Sequence, residues 1–425
     1  LAHSSLIQQL NAPEKTARLS ALRELKALFD SGALTPPTTG NDVNNHIHTT
    51  YSFSPYSPSD AVYTAWISGL ATAGLMDHDS VAGAEEFIEA GRILGIATTV
   101  GFECRCSMSK TPFAGRKINN PDQDGVVYLA AHGIPRRSIA AAQDWLAPFR
   151  EKRDIRNRAM TAKLNRIISS TGLELDYDRD IAAISMQWDG GTVTERHILY
   201  ALSLKMMERF GKGQIIIDLL EEKFGISIAG ETRKLLQNPE NPMYDYYLLG
   251  ALKAGMVPRF YINAADECPE VDEFIGFVKG IGAIPAYAYL GDVENSVTGD
   301  KRAQSFEDSF LDELVPWLKE AGFDALTYMP TRNTPEQLAR IICLCEKHEL
   351  MQISGEDINS PFQPFCCEAL RLPQFRHLAD CAWALVGHEM AAEEDIAVGM
   401  FSDRTVAKMP GLAQRVGSFA AFGRI

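Results

Sequence analysis

Four short runs carry side chains suited to metal or acid–base chemistry. In Asn45-His46-Ile47-His48 two imidazoles stand two residues apart. Residues i and i+2 of a strand point to one face, so the pair would present two nitrogens to one point. That donor set suits zinc, iron or manganese, although two ordinary histidines fit the same pattern. Met76-Asp77-His78-Asp79-Ser80 puts three ionisable side chains directly after an apolar Gly-Leu-Met run. Buried there, each needs a partner; Asp79 could cap a following helix, a role that does not suit His78. In Gly101-Phe102-Glu103-Cys104-Arg105 the carboxylate could bridge two metal ions. Arg105, on the same face, could pair with it or hold a phosphate. Ser354-Gly355-Glu356-Asp357-Ile358-Asn359 repeats the i, i+2 spacing with hard oxygen donors, helix capping being the ordinary alternative.

The surrounding chain must place these runs. Short apolar stretches at 43–48, 74–76, 97–103, 126–131, 281–290, 325–329 and 351–354 read as strands. Helical periodicity covers 59–70, 83–94, 306–321 and 334–348. Alternating strands and helices argue for an α/β fold with a parallel sheet, as a barrel or an open sheet. All four polar runs end a strand, as expected for a metal site at the mouth of a barrel. Residues 41–136 and 258–370 form this barrel. Residues 137–257 lack strand signals and read as a helical insertion. Their charge run from Arg150 to Arg158 is expected on a solvated helix face. Residues 1–40 form a helical extension on the outside of the barrel. Residues 371–425 form a second one that covers the barrel's lower end or mediates self-association.

Composition narrows the function classes. The chain has 425 residues, 46% apolar and 23% charged, which excludes a disordered or fibrous protein. A formal net charge of −14 makes nucleic acid and anionic lipid unexpected partners. The longest apolar stretch, at 281–290, falls short of the roughly 20 residues of a membrane span. The start carries no charged-then-apolar leader, and the first residue is Leu1, which leaves room for an upstream piece. Eight cysteines without a CxxC pair fit free thiols in a reducing cytoplasm.

Together the runs from Asn45 to Ser52, Met76 to Ser80, Gly101 to Glu103 and Gly355 to Asn359 resemble the PHP (polymerase and histidinol phosphatase) family, over about residues 44–364. Thr194-Glu195-Arg196-His197 resembles the T/S-R-x-H segment in the helical insertion of its phosphoesterase branch. The resemblance implies a distorted (β/α)7 TIM-like barrel and one to three divalent ions, Zn, Fe or Mn. It makes His46, His48, Glu103 and Asp357 ligands of the first ion and His78 a ligand of another. It also places His197 near a substrate phosphate. Some positions depart from the family pattern. Ser52-Phe53-Ser54-Pro55 stands where an Asp or His is usual, Tyr287 where a later His is, and Asn359 closes a D-x-H pattern. The His after the bridging Glu is matched by His132 or lost to Tyr128.

These residues imply a metal-dependent hydrolase, a phosphoesterase on a small phosphorylated substrate. His78 and His132 are candidates for a second ion or for proton transfer. Arg105 and Arg196, and further Arg136 or Arg332, are candidate phosphate clamps. Tyr287 and Asn359 are candidate substrate contacts, with a packed aromatic as the ordinary reading of Tyr287. An amide hydrolase on the same site, and a degenerate barrel that binds without turnover, are the alternatives.

Overall fold

The computed structural model describes residues 2–293 and 304–425. Seven strands lie where the apolar stretches fall: β1 Val43–Ile47, β2 Thr72–His78, β3 Ala97–Ser107, β4 Val126–His132, β5 Ile284–Ala288, β6 Ala325–Tyr328 and β7 Met351–Ser354. They pair in chain order, and bonds between β1 and the segment after β7 nearly close the barrel. Ile358 N–H donates to His46 O, and His48 N–H to Ile358 O. Helices cover the outside, and their ends follow the sequence. Ser57 caps Pro58–Ile67 by accepting from Asp60 N–H, and a Thr334/Gln337 capping box starts Pro335–Lys347. No helix among the described residues is long and apolar enough to cross a membrane.

The sheet is not wholly parallel: β4 runs antiparallel to both neighbours. The connection 108–125 contains no crossover helix. It folds back on itself, with Met108 N–H bonded to Gly125 O and Gly125 N–H to Arg116 O, and so returns the chain beside β3 in the opposite sense.

The inner face carries small and apolar residues, among them Met76, Ala130, Ile284, Ala286, Ala325, Met351 and Ile353. These pack with Cys381, Ala384, Leu385 and Phe419 of the last helices, so the C-terminal segment covers the barrel's lower end. His388 fixes that contact. Its Nε2–H donates to Gly282 O at 2.8 Å and its Nδ1 accepts Met400 N–H at 2.9 Å. Burial lowers its pKa to about 4, outweighing the backbone bonds, which raise it. The native state therefore binds fewer protons than the unfolded chain between pH 4 and 6.5. The contribution is complete above pH 6.5 and falls away as pH drops toward 4, by on the order of 3 kcal/mol. His388→Gln should flatten urea-measured stability over that window relative to the native chain. An unchanged slope would show that His388 is not buried neutral.

At the N-terminal side, Arg18 and Glu86 form a buried two-bond ion pair that fastens helix Lys15–Asp30 to helix Ala84–Leu94. The middle region has its own apolar core, built from helices Ile139–Ile168, Glu195–Phe210 and Tyr244–Phe260. The first of these has thirty residues and so spans about 45 Å. It leaves the lower rim after Arg136 and runs up the barrel, with Trp145 against Phe102 and Phe277. The charge run lies on this helix, and the solvated-face expectation is wrong for its centre. Arg153 and Arg156 are 3% and 7% exposed, because positions three apart share the face turned to the barrel's carboxylates.

Candidate metal centre

A β-bulge sets the first ligands. Between Asn44 and Ile47 three steps on β1 face two on β2, and the extra residue aims His46 and His48 into the barrel mouth. One nitrogen from each, and one oxygen of Glu103 from β3, lie within 4.8 Å of one another. His46 Nε2 and His48 Nε2 stand 3.6 and 3.5 Å from Glu103 Oε1. His78, at the end of β2, brings Nδ1 to 3.1 Å from the same oxygen, and its ring stacks on His48. Asp357 Oδ1 lies 3.2 Å from His48 Nε2 and accepts from Asn359 Nδ2 at 2.5 Å. Three of the residues expected as ligands thus meet at one point, His78 and Asp357 each touch one of them, and Asn359 orients Asp357.

Gly355 lets the Asp357 segment close on β1. A Cβ there would sit 2.6 Å from His46 Cβ and 2.7 Å from His46 N. Gly355→Ala should displace His46 and weaken divalent-metal binding about tenfold or more, the scale of losing ligand support. Gly411→Ala, where a Cβ meets nothing, should not. Equal metal titrations of both variants would contradict the close approach.

The electrostatics fit a cation. Burial alone would raise Glu103, but the imidazoles of His78, His46 and His48 hold it down to about 2, so it is anionic. Burial lowers His78 and His132 to about 3, leaving both neutral. Burial would lower His46, but the Glu103 carboxylate overcomes this and raises its pKa, so the position favours a positive charge. Asp357 is likewise held well below its usual range against burial, mainly by His48. His78 Nδ1 and His132 Nε2 are buried without hydrogen-bond partners among the described residues. Such orphaned nitrogens call for an explanation, and an ion is one. His46, His48 and Glu103 could hold a divalent metal, with His78 and Asp357 beside them. His132 lies deeper, two residues below Ala130, the partner of Glu103 across the sheet.

Outer contacts orient His48. Its Nδ1 lies 3.2 Å from Ser52 Oγ, and Ser52 donates to Asp77 Oδ1 at 2.6 Å. Thr49 gives Asp77 two further bonds, from N–H and Oγ1. A proton on Nδ1 leaves the Nε2 lone pair facing the centre, the usual arrangement around a metal-binding imidazole. Ser52 therefore ties His48 to a buried carboxylate.

The candidate phosphate clamps lie in different surroundings. Arg105 is not free: it pairs with Glu195 at 2.8 Å and Glu267 at 3.0 Å, and donates to Tyr128 Oη. Arg156 joins the same two carboxylates, and Arg153 pairs with Glu195 and Asp79. Three buried cations thus face three buried anions between barrel and insertion. Arg136 lies away from the mouth, on Glu85. Arg332 donates to Leu290 O. Arg196 is half-buried and makes no ion pair among the described residues, and its charge helps to lower both Asp357 and His78. The next residue, His197, accepts Thr194 N–H at Nδ1, which leaves its proton on Nε2, and burial lowers it to about 3. Phe53, from the loop after His48, packs edge-on against its ring.

Tyr287 is not brought to the site. Along β5 the inner positions are Ile284, Ala286 and Ala288. Tyr287 faces outward among the helices, 1% exposed, its hydroxyl on Glu307 at 3.0 Å. Alternation in the run Ile-Pro-Ala-Tyr-Ala carries that signal. Sequence reasoning also missed Ser52, Asp77, Glu195 and Glu267. The signal for Asp77 was a charge in an otherwise apolar strand; Glu195 and Glu267 had none.

No family profile matches the sequence, and no curated protein matches it. Among solved structures, one similar chain is an amidohydrolase from Chromobacterium violaceum, determined with bound sulfate and no metal. The TM-score is 0.50 at 16% identity, over 77% of this chain and 90% of that one. A second is a Bifidobacterium adolescentis protein provisionally described as a metal-dependent phosphoesterase. Here the TM-score is 0.49 at 21% identity, over 79% of this chain and 96% of that one. At these identities the likeness concerns the fold.

Proposed function

We propose that this chain is a metal-dependent hydrolase that cleaves a phosphoester of a small molecule, in the manner of the PHP phosphoesterases it resembles. The observation that carries the reading is the meeting of His46, His48 and Glu103, with His78 and Asp357, at the open end of the barrel. A divalent ion, Zn, Fe or Mn, would supply activation of water near neutral pH and neutralisation of phosphoryl charge. His132 is the reserve ligand for a second ion.

The chain's own residues supply the rest. Arg196, a cation beside the centre without an ion pair among the described residues, orients the phosphate. His197 keeps a neutral ring with its proton on Nε2, suited to donate to a leaving oxygen. Asn359 holds Asp357, and Arg105 acts at a distance by fixing Tyr128 and Glu195. The helical insertion beside the mouth, joined to it by Phe53, favours a small substrate over a polymer. We place the activity in the cytoplasm, without nucleic acid or membrane as partner.

A non-catalytic reading has two observations in its favour. β5 offers only Ala286 and Ala288 to the inner face at mouth level, and Asn359 stands where a histidine would complete further sites. A panel of phosphomonoesters, phosphodiesters, carboxamides and lactones, each with added Mn, Zn or Fe, separates the cases. Turnover of a phosphoester is expected. Turnover confined to amides or lactones would move the activity to C–N or C–O acyl hydrolysis. Tight phosphate binding with no turnover of any class would favour the binding role.

A further inference from the structure

Asp79 directly follows His78 and has φ of 51°, a left-handed conformation shared among described non-glycine residues only by Glu349. A residue held there is strained and persists only where its surroundings fix it. The surroundings do so on every side. Its N–H donates to Glu103 O at 2.9 Å, its carbonyl accepts from Arg150 Nη1 at 2.9 Å, and its carboxylate pairs with Arg153. Both charged side chains are buried, 8% and 4% exposed. Arg150 and Arg153 belong to the long helix of the insertion, whereas His78 and Glu103 belong to the barrel. The other arm of Arg153, Nη2, lies 3.2 Å from Glu195 Oε2, one residue before Arg196. One guanidinium therefore ties together the two segments that carry His78 and Arg196.

We propose that Arg153 is a positioning residue of the metal centre, acting through Asp79 on His78, so that the helical insertion is a working part of the centre. This rests on reading the cluster as a metal centre. The left-handed turn at Asp79 swings the chain away immediately after His78, and so decides how far the imidazole reaches toward Glu103. Without the ion pair the side chain is released, only the two backbone bonds to Glu103 and Arg150 oppose relaxation of Asp79 toward an ordinary φ, and the end of β2 moves with it.

The test is a cobalt(II) titration of the chelator-treated full chain, read by its visible absorption bands. His78→Gln is the reference for loss of that ligand. Asp79→Asn keeps the size and the left-handed preference of the residue but removes its charge, and Arg153 keeps Glu195 as a partner, so this variant folds. Arg153→Met and Arg153→Lys complete the set. Asp79→Asn and Arg153→Met should weaken cobalt binding about 10–100-fold, the scale of losing an outer-shell partner. Their bands should shift as those of His78→Gln do, and Asp79→Asn should add nothing on top of His78→Gln. Arg153→Lys should restore part of the affinity. Native affinity and bands in Asp79→Asn, with a changed His78→Gln, would overturn the proposal. Native behaviour of His78→Gln would overturn it too, by removing His78 from the centre. If cobalt also binds unchanged to a His46→Ala/His48→Ala chain, the metal-centre reading itself fails.

Discussion

Replacing His46 and His48 together by alanine should abolish stoichiometric divalent-metal binding and all hydrolase activity, with the fold retained. The two rings supply two of the three donors that lie within 4.8 Å of one another. Glu103 then keeps only His78 and Asp357 near it, outside the group of donors that lie within 4.8 Å of one another, and such a remnant holds a divalent ion poorly at micromolar free metal. Against a typical enzymatic acceleration of at least about 10⁶-fold, loss of the ion should leave no measurable turnover. The substitution removes two histidines whose rings sit at the mouth rather than in the apolar core, so the far-ultraviolet circular dichroism should not change. Elemental analysis and substrate assay on the same sample give the result. Metal retained near one equivalent, or turnover within tenfold of the native chain, would place the centre elsewhere. Metal affinity should also fall as the pH drops, starting above the ordinary histidine range. The Glu103 carboxylate raises the pKa of His46, so protons compete for the same nitrogen, and each ion bound releases them.

Glu195→Ala should be the most destabilising single substitution outside the apolar cores. The carboxylate meets Arg105 at 2.8 Å, Arg156 at 2.9 Å and Arg153 at 3.2 Å. Burial opposes its ionisation, but the three guanidiniums overcome this and hold it well below the usual range. Removing it leaves three buried cations facing Asp79 and Glu267 alone. Breaking a buried pair from one side costs about 3–5 kcal/mol, because the partner charge remains in a poorly solvated place. Glu231→Ala, whose partner Lys234 is exposed, should cost about 0–1 kcal/mol. Urea unfolding of both variants gives the comparison. A loss at position 195 no larger than at 231 would mean that the network is well solvated. It would also undercut its role in joining insertion to barrel.

Much of this arrangement was legible in the sequence because strand ends announce themselves. Each apolar run that stops at His-x-His, Asp-His-Asp or Gly-Phe-Glu has an ordinary reading by itself, and their joint placement at strand ends is what points to a site. The structure places seven strands at those runs, with His46, His48, His78, Glu103 and Asp357 together. What escaped was anything set by partners distant in the chain. The direction of β4 depends on how 108–125 folds back, and that segment has no periodic pattern. The burial of Arg156 depends on Glu267, more than a hundred residues away, and that of Arg153 on Asp79, and a charged helix reads alike whether its partner is water or carboxylate. Arg105 was assigned to substrate because the acids that claim it are remote. Tyr287 was the avoidable case. Period-2 alternation puts it on the face opposite Ala286 and Ala288, whatever its chemistry might offer.

The most direct measurement is anomalous diffraction from crystals of the manganese- or zinc-loaded chain, collected on both sides of the metal edge. The expected result is a peak within bonding distance of one nitrogen each of His46 and His48 and of Glu103 Oε1. A second, weaker peak near His78 would extend the centre. A well-ordered barrel with no anomalous density among these three residues, under saturating metal, would contradict the metal centre and the hydrolase reading built on it.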